Sequence, residues 1–221
     1  MSDSFSKYIG FFIFLIICLL FRFIANSVGR KNKKEAENFL NAEHEANFSR
    51  AHEIPDEMFY HPDTGSLPDN EYGDGDEFAK LNAAKQKVYS SAKSNMLRLN
   101  PPMKNIEIKQ KFGAVNLEKI TNYEVSYDQY IRSLSTWAEE LIKLGFYEDA
   151  KQVLLVCMEM DSLIFLPYSL ICDIYEKEKD ISGLKGLEAN IRAKDIIAND
   201  EILSGKIIRY IYEKLSVIEN S

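Results

Sequence analysis

The chain of 221 residues is poor in the residues that carry most recognisable chemistry. It has three cysteines, three histidines and one tryptophan. The cysteines are Cys18, Cys157 and Cys172, and no two of them form a Cys-x-x-Cys pair. The sequence therefore lacks a disulfide framework, which fits a protein of a reducing compartment. Cys157 and Cys172 fall in apolar helical patterns, where a free thiol behaves as a small buried hydrophobe.

Motifs for catalysis or for ligand binding are also missing. The histidines, His44, His52 and His61, stand before the helical region, and none pairs with a cysteine at metal-ligand spacing. The acidic stretch 69–77 lacks the alternating oxygen ligands and the twelfth-position glutamate of a calcium loop. The glycines of residues 183–186 have no Lys-Ser/Thr sequel and so make no phosphate loop. We therefore predict no catalytic residue, no metal and no cofactor, and we do not expect an enzyme.

The charge is unevenly distributed along the chain. The whole chain carries −7, and residues 1–34 carry +5, so residues 35–221 carry −12. An acidic domain repels nucleic acid, so we expect no nucleic-acid partner. The basic segment near the N-terminus is better explained as a determinant of membrane topology that contacts lipid headgroups.

One long apolar run is present, at the N-terminus. Residues 8–21 form an unbroken run of fourteen uncharged residues, whereas a transmembrane helix needs roughly 20. Extension to Val28 gives sufficient length and leaves Arg22 in the C-terminal third, where its side chain can reach the headgroups. We therefore predict a single transmembrane helix that contacts the bilayer through residues 8–28.

The basic residues after this run indicate its orientation. They are Arg22, Arg30, Lys31, Lys33 and Lys34, against one lysine before the run. The positive-inside rule then places the C-terminal domain in the cytoplasm, on the inner face of the cell membrane. A cleaved signal peptide or the opposite orientation stays open as an alternative.

The sequence as a whole suggests four segments. These are a transmembrane anchor at 1–28, a basic juxtamembrane segment and acidic linker at 29–77, a helix with an extended connector at 78–122, and a helical domain at 123–221. Prolines and glycines between residues 52 and 77 predict a flexible linker or a loop that lies on the domain. Within that segment, residues 58–60 (Met-Phe-Tyr) are expected to dock onto the helical domain or onto a partner.

Apolar periodicity supplies the secondary-structure prediction. Residues 78–99 repeat apolar positions at three and four residues and predict a helix, whereas residues 106–108 alternate and predict an extended segment. From Tyr123 onward the helical signal is strong, and Ser126-x-x-Gln129 suggests a capping box. The chain after the anchor is thus expected to be all-α.

One hairpin has a recognisable spacing. Ala138, Gly145, Tyr147, Ala150 and Leu154 are followed by the small residue Cys157. This spacing resembles the tetratricopeptide repeat, in which small residues let two helices pack closely and the glycine makes the turn. The resemblance implies an all-α fold of helical hairpins, here a TPR-like domain.

A second copy, shifted by 34 residues, is degenerate. Tyr168 and Cys172 match apolar or small positions, but Lys179 falls on the turn glycine and Glu188 on an apolar position. The layout also resembles that of membrane-anchored bacterial proteins that carry a helical-repeat domain, a resemblance that implies no activity.

Repeat hairpins stack into concave grooves that bind peptide segments. We therefore expect a membrane-anchored protein-interaction module, an adaptor or scaffold, whose partner is another protein or peptide segment at the membrane. Tyr130, Trp137, Tyr168 and Tyr175 are the expected groove contacts, although packing in the core is an alternative for them, for Trp137 above all. The competing hypothesis is a subunit of a membrane-associated enzyme or a cryptic helical enzyme, which clustered His, Asp or Glu in the groove would favour.

Overall fold

The computed structural model describes residues 2–220, and side chains for residues 14, 16–18, 20–23 and 28–220. The fold is mostly helical, which confirms the expected all-α class. The chain folds as two compact units. The first comprises the residues up to Glu53 together with Lys104–Leu117, and the second comprises Ile54–Met103 together with the residues from Glu118 onward.

The first unit is built on a long N-terminal helix. Helix α1 (Ser2–Asn47) packs its C-terminal end against helix α3 (Asn105–Phe112). Residues 8–13, 15, 19 and 24–27 of the predicted anchor lie outside the residues whose side chains are described. Within the described part of the chain, no helix is both long and apolar enough to span a bilayer.

The contact between α1 and α3 has an apolar and a polar part. Ala46, Ile108 and Phe112 are each at most 2% exposed. Beside them, the Lys109 ammonium donates to Asn47 Oδ1 at 2.9 Å and contacts Glu43. The expected extended segment at 106–108 is therefore wrong, because three alternating residues are too few to distinguish a strand from the start of a short helix.

A glycine closes this unit. Gly113 follows α3 with φ +88°, and a Cβ atom there would lie 2.7 Å from the Ala51 Cα. The neighbouring backbone is held by the His52 amide, which donates to the Phe112 carbonyl at 3.1 Å. Only glycine combines this backbone angle with so close an approach of another chain segment.

The second unit contains the helical hairpins and a small sheet. Its elements are β1 (Phe59–Tyr60), α2 (Ala79–Ser91), β2 (Met96–Leu97), α4 (Leu117–Lys143), α5 (Tyr147–Glu159), α6 (Phe165–Lys177), α7 (Ile181–Ala193), α8 (Asp195–Ala198) and α9 (Glu201–Glu219). The first residue of α4, Leu117, is counted with the first unit. Strands β1 and β2 are antiparallel, with Phe59 opposite Leu97 and Tyr60 opposite Met96. Helix α9 approaches both α6 and α7 closely, and α5 approaches α6.

Two helix boundaries differ from the prediction. The helix expected over residues 78–99 ends at Ser91, and Met96 lies in a strand instead. Helix α4 begins at Leu117, so Ser126 is not an N-cap: its hydroxyl donates to the Asn122 carbonyl at 3.0 Å, one turn back in the helix. In both places, tertiary packing outweighed a local pattern.

The turn predicted at Gly145 is confirmed. Gly145 lies between α4 and α5 with φ +86°, and the Phe146 amide donates to the Leu141 carbonyl at 2.9 Å. This is the helix ending that a left-handed glycine provides. Ala138 and Ala150, the small residues of the predicted hairpin, are both fully buried.

The segment before α2 lies on the helical unit. Leu67 is 3% exposed and Tyr72 is 5% exposed, and the Gln152 side chain of α5 donates to the Ser66 carbonyl at 2.8 Å. Residues 58–60 also dock within the chain, since Phe59–Tyr60 form β1. Of the alternatives for this segment, the structure has the loop packed on the domain.

Candidate functional site

The aromatic residues expected to line a groove are mostly in the core. Tyr130 and Trp137 are 0% exposed and Tyr168 is 1% exposed. Trp137 lies 6.4 Å from the Tyr89 ring, measured between centroids. These three side chains therefore offer no surface to a partner in this conformation, because they already pack against other helices.

Their polar atoms differ in how they are paired. The Tyr168 hydroxyl donates to the Ser162 carbonyl at 2.9 Å. Among the described residues, the Tyr130 hydroxyl and the Trp137 indole nitrogen have no hydrogen-bond partner and are shielded from solvent. Burial raises the pKa of both Tyr130 and Tyr168, so both phenols stay neutral around pH 7.

Tyr175 is the exception among the expected groove residues, because it is partly exposed. It lines a cavity of about 320 Å³ with residues of α5 and α7, among them Leu155, Met158 and Leu187. Leu155 is 47% exposed at this place. The cavity is small and offers Lys194 and Glu159 as its charged groups.

A larger cleft opens elsewhere on the second unit, and we call it the α4–α8 cleft. Its walls are the N-terminal half of α4, the loop after β2, the loop between α5 and α6, α8 and the start of α9. It consists of an inner cavity of about 440 Å³ and an outer cavity of about 770 Å³. Both cavities are lined by Asn100, Pro102, Leu163 and Ile196, so they adjoin each other.

The inner cavity is lined by an arginine, Arg98, whose contacts join two elements. The Arg98 Nη1 atom donates to the Met160 carbonyl at 2.6 Å and lies 3.5 Å from the Tyr127 hydroxyl. The guanidinium stands 5.7 Å from the centroid of the Tyr127 ring. Its Nη2 atom is shielded and has no hydrogen-bond partner among the described residues. Arg98 therefore ties the strand β2 to the end of α5 and leaves one donor unused.

Two carboxylates of α4 line the same cavity. Glu124 and Asp128 are one helical turn apart. Burial raises the pKa of Glu124, a hydrogen bond with the Leu99 backbone lowers it, and the charge of Asp128 raises it again. The net shift is upward, so Glu124 binds its proton more tightly than an ordinary glutamate.

The outer cavity is lined by both apolar and acidic side chains. Its apolar residues Leu163 and Ile202 are 41% and 87% exposed. Its carboxylates are Asp195, Asp200 and Glu201. Asp200 is also the N-cap of α9, since its Oδ1 accepts the Leu203 amide at 2.9 Å, which fixes the position of this carboxylate.

Outside the cleft, the described residues bear on two further kinds of chemistry, metal binding and nucleophilic attack. Within the described part of the chain, no three His, Cys, Asp or Glu side chains cluster closely enough to hold a metal ion. Cys157 and Cys172 are fully buried, and burial raises the pKa of each thiol to about 12. A thiol with so high a pKa is a poor nucleophile at neutral pH.

The predicted topology determinants lie on α1. Arg22, Arg30, Lys31, Lys33 and Lys34 are all exposed. Two of them form ion pairs within the helix, Lys31 with Glu35 and Lys33 with Glu37, both at 3.9 Å. Exposed pairs at this distance contribute little to stability, so the basic cluster remains accessible to other charges.

The residues of the α4–α8 cleft were not among the predicted contacts. Arg98 stands between two apolar residues, and Glu124 and Asp128 look like an ordinary polar helix face. The available signal was the Asn100-Pro101-Pro102 loop together with Leu163, an apolar residue between two helices. Comparison of the chain with family models, with curated proteins and with solved structures finds no match.

Proposed function

We propose that this protein is a membrane-anchored interaction module whose helical unit binds a peptide segment of another protein in the α4–α8 cleft. The module acts as an adaptor or scaffold on the cytoplasmic face of the membrane. The observation that carries the proposal is the cleft itself, which is lined by exposed apolar side chains together with charged ones.

The size and lining of the cleft support a peptide ligand. Its two cavities fall in the range of about 300–1,000 Å³ that is usual for ligand sites. Val125, Leu163 and Ile202 are 47%, 41% and 87% exposed, so apolar surface is available to an apolar side chain. Asn100 and Pro102 line both cavities, and the Asn100 side-chain amide and the two backbone carbonyls are groups that can bond an extended peptide.

The character of α1 supports the membrane anchor. Its described apolar residues between positions 14 and 23 are exposed, with Phe14, Phe21 and Phe23 at 64%, 74% and 68%. Since consecutive helical positions point in different directions, these residues cover more than one side of the helix. A helix that is apolar all round is buried in protein or in lipid. The basic cluster that follows favours a cytoplasmic C-terminal domain.

The TPR-like part of the proposal rests on the α4–α5 hairpin. Buried Ala138 and Ala150 flank the turn at Gly145, as the resemblance requires. The most extensive helix–helix contacts of the second unit, however, are those of α6 with α9 and of α5 with α6, rather than of α4 with α5. We therefore place the binding surface in the α4–α8 cleft instead of on the concave face of a stacked repeat.

Site-specific photo-cross-linking of the full-length protein in cells tests the binding site. A photoreactive amino acid replaces Leu163 or Val125 in the cleft, and Glu213 on the exposed face of α9 serves as control. We expect discrete membrane-protein cross-links from the two cleft positions that are absent from position 213. These cross-links should weaken when Asp replaces Leu163 in the Val125 probe. Equal cross-linking at all three positions would overturn the assignment of the cleft.

Thiol labelling tests the anchor and its orientation. In a variant with Cys18→Ser and Glu219→Cys, an impermeant maleimide should leave intact cells unlabelled and should label the protein after lysis. Labelling of intact cells would refute the cytoplasmic orientation, and release of the protein by alkaline carbonate would refute the anchor. The buried Cys157 and Cys172 provide no competing signal in the folded protein.

A second candidate function is catalytic, and Glu124 is the observation that favours it. A carboxyl group with a raised pKa in a cleft that also holds Asp128 and Arg98 has the elements of a general acid. On this hypothesis Glu124→Gln abolishes turnover in an activity screen but keeps the cross-links to Val125 and Leu163. If Glu124→Gln changes only the strength of the cross-links, the interaction module is favoured.

A further inference from the structure

The charges of the α4–α8 cleft are arranged asymmetrically. The inner cavity holds two arginines, Arg98 and Arg132, and two carboxylates, Glu124 and Asp128. The outer cavity is lined by three carboxylates, and none of the described residues in its lining is a lysine, arginine or histidine. The outer half of the cleft is therefore a negative surface, and the inner half is balanced.

Apolar side chains line the same outer cavity as these carboxylates. Leu163 and Ile196 are shared by both cavities, and Ile202 follows Glu201 in sequence. Ile202 exposes 87% of its surface. An occupant that satisfies both features carries apolar side chains and positive charges close together.

We propose that the occupant of the outer cavity is a basic, apolar juxtamembrane segment of a membrane protein. One apolar side chain of this segment packs on Leu163 and Ile202, and its Lys or Arg side chains pair with Asp195, Asp200 and Glu201. This inference rests on the proposed function and names the chemistry of its partner. The charges of the cleft favour it over an acidic or a neutral peptide.

The membrane location of the proposed partner and the net charge of residues 35–221 both favour a basic juxtamembrane segment as the occupant. Cytoplasmic segments beside transmembrane helices carry an excess of Lys and Arg. A module anchored at the same face meets such segments at high effective concentration. The −12 charge of residues 35–221 attracts them and repels anionic lipid headgroups. The negative cavity is therefore suited to a basic peptide and unsuited to the membrane surface itself.

Peptide titration of the full-length protein in nanodiscs of neutral phosphatidylcholine tests the inference. The probes are three fluorescent peptides of equal length, built from leucine and lysine, from leucine and glutamate, or from serine and lysine. Empty nanodiscs report binding to lipid alone. We expect the leucine–lysine peptide to bind most tightly and its affinity to fall with added salt, because the ion pairs are exposed.

Two variants of the cleft and one matched control identify the site. The double change Asp195→Asn and Glu201→Gln should weaken binding about 2- to 30-fold, as expected for the loss of two exposed ion pairs. Ile202→Ser should weaken it about 3- to 10-fold, through the loss of part of one apolar contact. The control, Glu213→Gln with Glu219→Gln, removes the same charge from exposed positions of α9 outside both cavities and should change nothing. Asp200 is left unchanged because it caps α9.

The outcomes separate this inference from the proposed function. Equal binding of the leucine–lysine and leucine–glutamate peptides, with loss of both in Leu163→Asp, would keep the cleft as a peptide site and overturn its charge selection. Absence of binding, or binding that the cleft variants and the control weaken alike, would also overturn the inference. A homodimer that the Asp195→Asn and Glu201→Gln change dissociates would assign the basic segment to residues 30–34 of a second copy, and would refute a separate partner.

Discussion

Tyr72 is expected to fasten the segment before α2 to the helical unit. Its hydroxyl donates to Asp149 Oδ2 at 2.7 Å, and its ring lies 5.0 Å from that of Phe146, between centroids. The Lys85 ammonium lies 5.6 Å from the Tyr72 ring centroid, and Asn70 donates to both oxygens of Asp149 at 2.9 Å. A segment held this way contributes to the free energy of unfolding of the whole unit.

The contacts of Tyr72 indicate how much two substitutions should lower the free energy of unfolding. Tyr72→Phe removes one hydrogen bond to a charged acceptor, but Asp149 keeps its bonds from Asn70, so we expect a loss of about 1 kcal/mol. Tyr72→Ala also removes a ring that is 95% buried, and large-to-small changes of aromatic residues cost about 3–5 kcal/mol. Burial, followed by the bond to Asp149, raises the pKa of Tyr72, so the phenol keeps donating through the neutral range.

Trp137 provides the assay. It is the only tryptophan of the chain and is fully buried in the second unit, so its emission reports the unfolding of that unit in urea. Tyr212 gives the matched control, because its hydroxyl donates to Glu188 at 2.9 Å while the side chain is 53% exposed. Tyr212→Phe should change the free energy of unfolding by less than about 0.5 kcal/mol.

One result would refute the reasoning about Tyr72. If Tyr72→Ala unfolds at the same urea concentration as the unchanged protein, the segment contributes nothing to the stability of the helices. Limited proteolysis then provides the second measurement. Rapid cleavage between residues 61 and 77 in the unchanged protein would mean that the segment is detached in solution, as a flexible linker would be.

Three further predictions concern single residues. At pH 8, Cys157 and Cys172 should react with a thiol reagent at least about 10³-fold more slowly in the folded protein than in urea. The reason is that a thiol with a pKa of about 12 is almost entirely protonated at this pH. Equal rates in the two conditions would refute their burial. Gly145→Ala should lower the free energy of unfolding, followed by circular dichroism, by about 1–2 kcal/mol through the positive φ alone. Gly113→Ala should lower it by more, because its Cβ would also clash with the backbone of another segment. A larger loss for Gly145→Ala than for Gly113→Ala would contradict these two environments. Because the pKa of Glu124 is raised in the folded protein, protonated Glu124 favours the fold below the ordinary pKa of glutamate, and this contribution to stability is lost as pH rises through the raised pKa. The free energy of unfolding of Glu124→Gln should therefore increase relative to that of the unchanged protein from pH 4 to pH 7. Parallel pH profiles of the two proteins would refute the shift.

The helices of the second unit other than the four-residue α8 were predictable because each of them buries one face. On α4, Ile131, Leu134, Trp137, Ala138 and Leu141 recur at helical spacing and are at most 1% exposed. That periodicity is a property of the chain itself, since a helix needs one apolar face to pack. The starts of helices were less predictable, because they depend on which distant segment satisfies the first amide groups.

The sheet could not be predicted from local pattern. Strands β1 and β2 have two residues each and pair across more than thirty positions of sequence, Phe59 with Leu97 and Tyr60 with Met96. Met96 continued the apolar spacing of α2, so the helix pattern extended over it. Pairs this short gain their stability from the tertiary contact, here the edge-on packing of Tyr60 against Tyr127 at 5.4 Å between centroids.

The cleft could not be predicted from the sequence, because the residues that line it make no distinctive pattern. Aromatic residues such as Tyr130 and Trp137 gain the most free energy from burial, so a protein without its partner tends to place them inside. The apolar positions left exposed around the cleft are then smaller residues: Val125 on α4, Leu163 between α5 and α6, and Ile202 near the start of α9, each more than 40% exposed. Their single apolar side chains make no periodic pattern. These side chains and the nearby carboxylates line one cleft only because of how α4, α8 and α9 are placed in space, which no local sequence pattern shows.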